Sequence, residues 1–197
     1  MASAESVKRL REITGAGVMD CSRALDECAG DFDCAQQRLR ELGLASAEKK
    51  GNRQTSQGLC EAYIHHDGRI GVLVEVNCET DFVARTDDFR TLVKELALHI
   101  ASAKPLAVRT EDLSPEVVER ERKVYEAQVV EQKKPEHIRG KIIEGMMKKF
   151  YEEHVLLEQK FVKDDTRTVG DLVREVAAKT GEKVHVRRFV RFERGGN

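Results

Sequence analysis

The sequence predicts an α+β fold: an N-terminal three-helix module with its linker over residues 1–54, then a core over residues 55–197 built on a small antiparallel sheet of about three strands covered by helices. Three observations predict it. Short apolar stripes at helical spacing fill the first part of the chain, two strongly alternating segments flank Asp67-Gly68, and a run of longer helical patterns leads to a last alternating stretch at the C-terminus.

In the first helix Val7 and Leu10 form a brief stripe that stops at Thr14-Gly15-Ala16-Gly17, where two glycines permit the backbone angles that end a helix. Val18, Cys21, Leu25 and Cys28 recur at helical spacing up to Gly30. Asp31 is placed to cap a third helix, with Ala35, Leu39 and Leu42 on one side. The polar stretch Lys49–Gly58 lacks apolar periodicity and reads as a flexible linker.

Leu59–His66 and Arg69–Cys78 then read as a hairpin, because Asp-Gly is favoured where a two-residue type I′ turn needs positive φ. That register sets Tyr63 opposite Val72 and Ala62 opposite Leu73, with Ile70, Val72, Val74 and Val76 on the face of Tyr63. Phe89, Leu92, Val93, Leu96 and Ile100 mark a helix ending near Lys104-Pro105. Ser114-Pro115 opens another that runs to about Lys133, and Pro135 opens a third with Ile138, Ile142 and Met146 on one face. Thr168 with Asp171 fits a capping box for a last helix, Val169 to Lys179, closed by Gly181. Lys183 to Arg194 alternates imperfectly and reads as a third strand beside the hairpin, with a bulge near Arg187 and Arg188.

Composition narrows the function. Apolar residues make up 40% and charged residues 35%, with 5% aromatics and no Trp, a profile that suits a helix-rich, well-solvated chain. The 35 acidic and 34 basic residues nearly cancel, so no overall field draws the molecule to nucleic acid or to an anionic membrane. No apolar run is long enough to span a bilayer, and MASAESVKRLRE lacks the apolar centre of a secretory signal, which points to a cytoplasmic protein. The five cysteines lack a C-x-x-C pair and read as reduced thiols, because a chain this long buries enough surface without staples.

The stretch Asn77 to Ala84 leaves a well-marked strand through a short polar turn. Phe82 in it either folds back as a helix staple or stands out as an aromatic wedge beside a carboxylate, the type of side chain that dominates binding hot spots. Periodicity alone does not choose. His65 and His66 point to opposite faces of a strand and do not converge on a metal. Cys78 with His99 lacks the nucleophile turn and third orienting group of a cysteine hydrolase. No phosphate-cradling glycine motif occurs, so no nucleotide or other cofactor is expected on this chain itself. Arg187 to Phe192 interleaves basic and aromatic residues as some RNA-binding strands do, but its aromatics fall on opposite faces.

Taken together, VKRLREITGAGVMDCSRALDECAGD, LRELGLASAEKK, HHDGRIGVLVEVNCETDFVAR, LALHIASAKP, EQKKPEHIRGKIIEGMMKKF, LLEQKFVKDD and RRFVRFE resemble segments of the elongation factor Ts family, in its order, from Val7 to Glu193. The resemblance implies a ubiquitin-associated-like (UBA-like) three-helix module joined to an α+β core. It also implies a guanine nucleotide exchange factor that binds elongation factor Tu, GDP-bound and nucleotide-free, and performs no bond chemistry. By motif, Thr80, Asp81, Phe82 and Val83 would enter the partner's GTPase domain near its Mg²⁺ site. Arg11, Val18 and Met19 would dock on that domain, with Val18 standing where many relatives have Met, and His66 would touch another part of the partner. One copy of the hairpin-plus-helices unit resembles the short type of this family, which implies a homodimer; Val190 stands where some relatives carry a linking Cys. The rival reading is a UBA-like adaptor with a dimerising core and no exchange activity.

Overall fold

Three helices open the chain, α1 (Ala4–Thr14), α2 (Val18–Glu27) and α3 (Phe32–Lys49), in a computed structural model that describes residues 3–14, 16–49 and 53–196. Gly15 of the expected first turn and residues 50–52 of the expected linker lie outside the described residues. The helices bury Val7, Leu10, Cys21, Ala24, Leu25, Ala35 and Leu39 in one small core. Two expected members of the stripes, Val18 and Leu42, are exposed instead. Val18 opens its stripe and Leu42 closes its own.

The turn between α2 and α3 corrects the reading of the cysteines. Ala29 and Gly30 have φ of 52° and 86°, and the Gly30 N–H reaches back to the Leu25 carbonyl at 2.8 Å. Asp31 then caps α3 by accepting from the Cys34 N–H at 2.8 Å. This reversal brings Cys34 against Cys28, with Cα atoms 5.8 Å apart, and the two form a disulfide, while Cys21, Cys60 and Cys78 are free. The argument from chain length fails here because the pair lies inside the small helical module, whose own core is made of few side chains.

Beyond the module follow β1 (Gln57–Ile64), β2 (Ile70–Cys78), the single-turn α4 (Asp81–Ala84), α5 (Asp87–Ala103), a 3-10 turn (Thr110–Asp112), α6 (Pro115–Glu131), α7 (Glu136–His154), β3 (Lys160–Phe161), β4 (Asp164–Thr168), α8 (Val169–Thr180) and β5 (His185–Glu193). The antiparallel sheet has the order β1-β2-β5, and β3 pairs with β4 in a separate ribbon. The chain divides into one unit of Met1–Cys60, Glu75–Val93 and Leu172–Val186 and a second of Glu61–Val74, Lys94–Asp171 and Arg187–Asn197.

In the first unit, β1 lies hard against β2 at Gly58, whose φ is 149°. A Cβ there would collide with the Val76 carbonyl oxygen and stand 2.7 Å from the Asn77 Cα, so no other residue fits without moving the strands. Val74 in one unit and Val76 in the other are buried, as the alternation requires, and so are Phe89, Leu92 and Val93 of α5.

In the second unit the hairpin closes on a wider loop than Asp67-Gly68 suggested. The Gly68 N–H donates to the His65 carbonyl at 2.8 Å and the His65 N–H to the Ile70 carbonyl at 2.9 Å, and only Gly68 of the expected pair has positive φ, 68°. The pairing of His65 with Ile70 agrees with the expected register, because the wider loop is centred on the same two residues. Farther on, α6 and α7 pack on each other around Leu113, Met147 and Phe150, with Val117, Val118, Tyr125 and Ile143 against them. The buried face of α7 centres on Ile143, Met147 and Phe150, and the expected Ile138, Ile142 and Met146 lie half-buried beside it. The capping box of α8 is in place, with the Asp171 N–H donating to Thr168 Oγ1 at 3.1 Å and the Thr168 N–H to Asp171 Oδ2 at 3.0 Å. Arg187 and Arg188 are both exposed, which interrupts the alternation of β5 where the bulge was expected. Among the described residues no helix is long and apolar enough to cross a membrane.

Candidate functional site

A four-residue helix has too few internal hydrogen bonds to hold itself, so α4 depends on its surroundings. Thr80 supplies the N-cap, its Oγ1 accepting from the Val83 N–H at 3.4 Å, and Val83 and Ala84 are buried beneath the turn. Phe82 points the other way and is 79% exposed. Among the two readings of this ring, the staple is absent from the structure: the ring stands out in solvent. Asp81 beside it pairs with Arg85 one turn on, at 2.9 Å.

The strand end that carries the turn is tied down by two carboxylates that sequence reasoning missed. Glu182, just past α8, accepts at Oε2 from the Glu79 and Thr80 N–H groups at 3.1 and 3.0 Å, and at Oε1 from the Thr80 hydroxyl at 2.6 Å. In return the Lys183 N–H donates to Glu79 Oε1 at 2.6 Å. Gly181, with φ of 75°, ends α8 in the left-handed conformation that lets the chain reverse at this point. About a hundred residues separate the two halves of this clamp, so no local pattern announces it.

Cys78 sits behind the turn. Its thiol donates to the Thr80 carbonyl at 3.1 Å, and burial, helped by the negative charge of Glu182, pushes its pKa up to about 11. A thiol held in its protonated form is a poor nucleophile. Among the described residues no three His, Cys, Asp or Glu side chains come together to hold a metal ion.

The residues expected to dock on a partner lie at the junction of α1 and α2. Arg11 is exposed on the last turn of α1, and Val18 and Met19 open α2, Met19 being 74% exposed. Ile13, which sequence reasoning passed over, is exposed with them. It lies well round the helix from Val7, a signal present in the spacing. His66 stands in the hairpin loop of the second unit, exposed, its ring 4.2 Å from that of His65. The structure therefore presents two apolar projections in the first unit, a helical patch and a single ring, and leaves Val83 as an internal anchor beneath that ring.

Comparison with known proteins adds two findings. The family model described as Elongation factor TS matches residues 46–196. The chain is 53% identical over 195 residues to the elongation factor Ts of Thermoanaerobacter sp. (strain X514), covering 99% of this chain and 96% of that protein. It is 54% identical over 193 residues to that of Desulforamulus reducens, covering 98% and 89%, and 52% identical over 193 residues to that of Thermotoga sp. (strain RQ2), covering 98% and 96%.

Proposed function

Because the chain belongs to the elongation factor Ts family, a family of translation elongation factors, we propose that it is the guanine nucleotide exchange factor of elongation factor Tu. The observation that carries this reading is the Phe82 ring, 79% exposed on a turn whose backbone is fixed by Glu182 and which is anchored by the buried Val83 and Ala84. Such a ring is suited to enter a pocket without rearranging its own support.

The mechanism follows from what holds GDP in a GTPase. Its phosphates are neutralised by Mg²⁺ and by backbone N–H groups, so moving the metal or the phosphate loop removes much of the affinity. In this reading Arg11, Val18 and Met19 dock on the partner's GTPase domain, with Ile13 joining them, and Thr80 to Val83 deliver Phe82 and Asp81 to the neighbourhood of the metal. His66 makes a separate contact. Coupling is reciprocal: a factor that loosens GDP is itself loosened by GDP, so the nucleotide-free partner is the tightly held one. Nothing in this sequence of events needs a nucleophile, in keeping with the protonated Cys78. The test is stopped-flow release of a fluorescent GDP from purified elongation factor Tu. The chain is expected to accelerate release; release at the spontaneous rate overturns the exchange function.

The same proposal includes a cytoplasmic homodimer. Support for pairing comes from the second unit, where Ile64, Leu73, Val190 and Phe192 expose apolar side chains on sheet strands. With Val at 190, any such pairing is non-covalent at that position. Light scattering on an eluting peak should give the dimer mass, and a monomer rejects this part. The division at residue 54 also belongs to the proposal. Cleavage confined to residues 49–58 that leaves two folded pieces would support it, and joint unfolding would not.

A further inference from the structure

We infer that Glu182 is a positioning residue for nucleotide release: it aims the Phe82 ring. The inference rests on the reading of Phe82 given above and names the group that makes that ring effective. The ring has little of its own to hold it, being 79% exposed on a helix of four residues. Its direction is set by the backbone at Glu79 and Thr80, where β2 ends. There one carboxylate receives three hydrogen bonds, two from consecutive backbone N–H groups and one from the Thr80 hydroxyl at 2.6 Å. Charge-assisted bonds of this kind are short and directional. The third bond has a further effect. By taking the Thr80 hydroxyl proton, Glu182 leaves the lone pairs of Oγ1 to face the Val83 N–H, so the same carboxylate orients the cap that starts α4. The chain of support runs from Glu182 to Thr80 to the first turn of α4, and Phe82 is carried on that turn.

A side chain acting this way contributes to the barrier for release and little to docking, which is assigned to Arg11, Val18 and Met19. Glu182→Ala should therefore lower the release rate constant at saturating factor by about tenfold, the size of an ordinary coupling between contacting residues, and leave the half-saturating concentration within about twofold. Glu182→Gln keeps the length and one acceptor oxygen for the two backbone N–H groups, and its amide N–H takes one lone pair of Thr80 Oγ1 while the other stays open to the Val83 N–H. It should hold the rate within about threefold of the parent. The decisive measurement is the double variant. If Glu182 acts through the ring, Glu182→Ala added to Phe82→Ala costs nothing more.

The experiment uses the full chain, a GDP-loaded partner carrying a fluorescent nucleotide, and a thermal melt of each variant. A slow Glu182→Ala chain, recovery by Gln and loss of the effect in the Phe82→Ala background are the expected results. Three outcomes overturn the inference. One is a Glu182→Ala chain that releases at the parent rate while Phe82→Ala is slow; this removes Glu182 and keeps the ring. Another is equal, additive loss in both backgrounds, which makes Glu182 a structural residue alone. The last is a Phe82→Ala chain as fast as the parent, which removes the ring and Glu182 with it. If Glu182→Ala melts below the assay temperature, Glu182→Asp serves in its place: it keeps the charge, draws the carboxylate back by one methylene, and is expected to be slow where Gln is not.

Discussion

The α1–α2 junction and the turn at α4 both lift apolar groups into solvent, and they are held up by different means. Beneath Met19 lies a packed cluster in which Leu10, Cys21, Ala24, Leu25 and Ala35 are fully buried. Beneath Phe82 lie two small anchors, Val83 and Ala84, and a set of hydrogen bonds to Glu182 and Thr80. Apolar packing is proportional to area and indifferent to direction, whereas a hydrogen bond weakens steeply when its angle is lost. The packed patch is therefore suited to supplying affinity, and the bonded turn to presenting one ring at one angle.

The comparison breaks most visibly if the packed half is emptied. Leu25→Ala removes a fully buried side chain and should cost about 3 kcal/mol of stability in the helical module, read as a lowered denaturant midpoint. A midpoint unchanged from the parent would mean that the cluster is not what supports Met19. Opening the Cys28–Cys34 bond, which spans a sequence separation of 6, should cost about 2 kcal/mol by loop-closure entropy. Dithiothreitol should lower the module's denaturant midpoint accordingly and leave nucleotide release at saturation unchanged, since the bonded turn does not involve these sulfurs.

The two projections themselves sharpen the contrast. Phe82→Ala should raise the barrier to nucleotide release by about 2 kcal/mol, a slowing of roughly thirtyfold, without changing the melt, because the ring is exposed in the free chain. Met19→Ala should act on the other parameter. It should raise the half-saturating concentration roughly fivefold, equivalent to about 1 kcal/mol, and leave the maximal rate alone. If both variants moved the same parameter, the division between affinity and aim would be lost.

Much of this was legible because local rules decided it. The stripes at Val7 and Leu10 and at Ala35 and Leu39, the box at Thr168 and Asp171, and the alternation of Val72, Val74 and Val76 each follow from spacing within one element. The resemblance added what spacing could not, namely which exposed residues are candidates for contact with a partner. What stayed hidden depends on partners far apart in the chain. The ribbon of β3 and β4 begins with a strand of only two residues, too short to alternate. On α7 Met147 is buried and Met146 only half-buried, a choice between equally apolar neighbours that spacing does not make. Glu182 looked like any charged residue after a helix, and Cys28 with Cys34 became a pair only when the reversal at Ala29 and Gly30 was in place.

The smallest expected effect asks whether hydrogen-bond support also holds away from water, in the second unit. His99 is buried, and its Nδ1 accepts from the Val162 N–H at 3.3 Å. The ring proton must then be on Nε2, which donates to Gln159 Oε1 at 3.0 Å. Gln159 is itself fixed, its Nε2 donating to the carbonyls of Ala103 at 3.2 Å and Glu153 at 2.7 Å. A second ring proton would face the Val162 N–H, donor against donor. Burial accordingly holds the imidazole below its ordinary value of 6.5, against the smaller opposing pull of Gln159. The unfolded chain takes up that proton more readily than the folded one. The contribution of His99 to stability is therefore complete above pH 6.5 and declines as the pH falls below it, with a slope for one proton of at most about 1.4 kcal/mol per pH unit. The carboxylates of Asp67, Asp164 and Glu193, whose folded values are lowered by hydrogen bonds, lose their contributions only below their ordinary values of 3.8, 3.8 and 4.5, and so contribute little to a difference read between about pH 7.5 and 5.5. Urea midpoints at about pH 7.5 and 5.5 should differ in the parent chain and converge in His99→Gln, whose side chain does not titrate. Equal midpoints in the parent would mean that the protonated ring finds an acceptor where Val162 now presents its N–H, and that polar support in this core yields where the clamp at Glu182 is required not to.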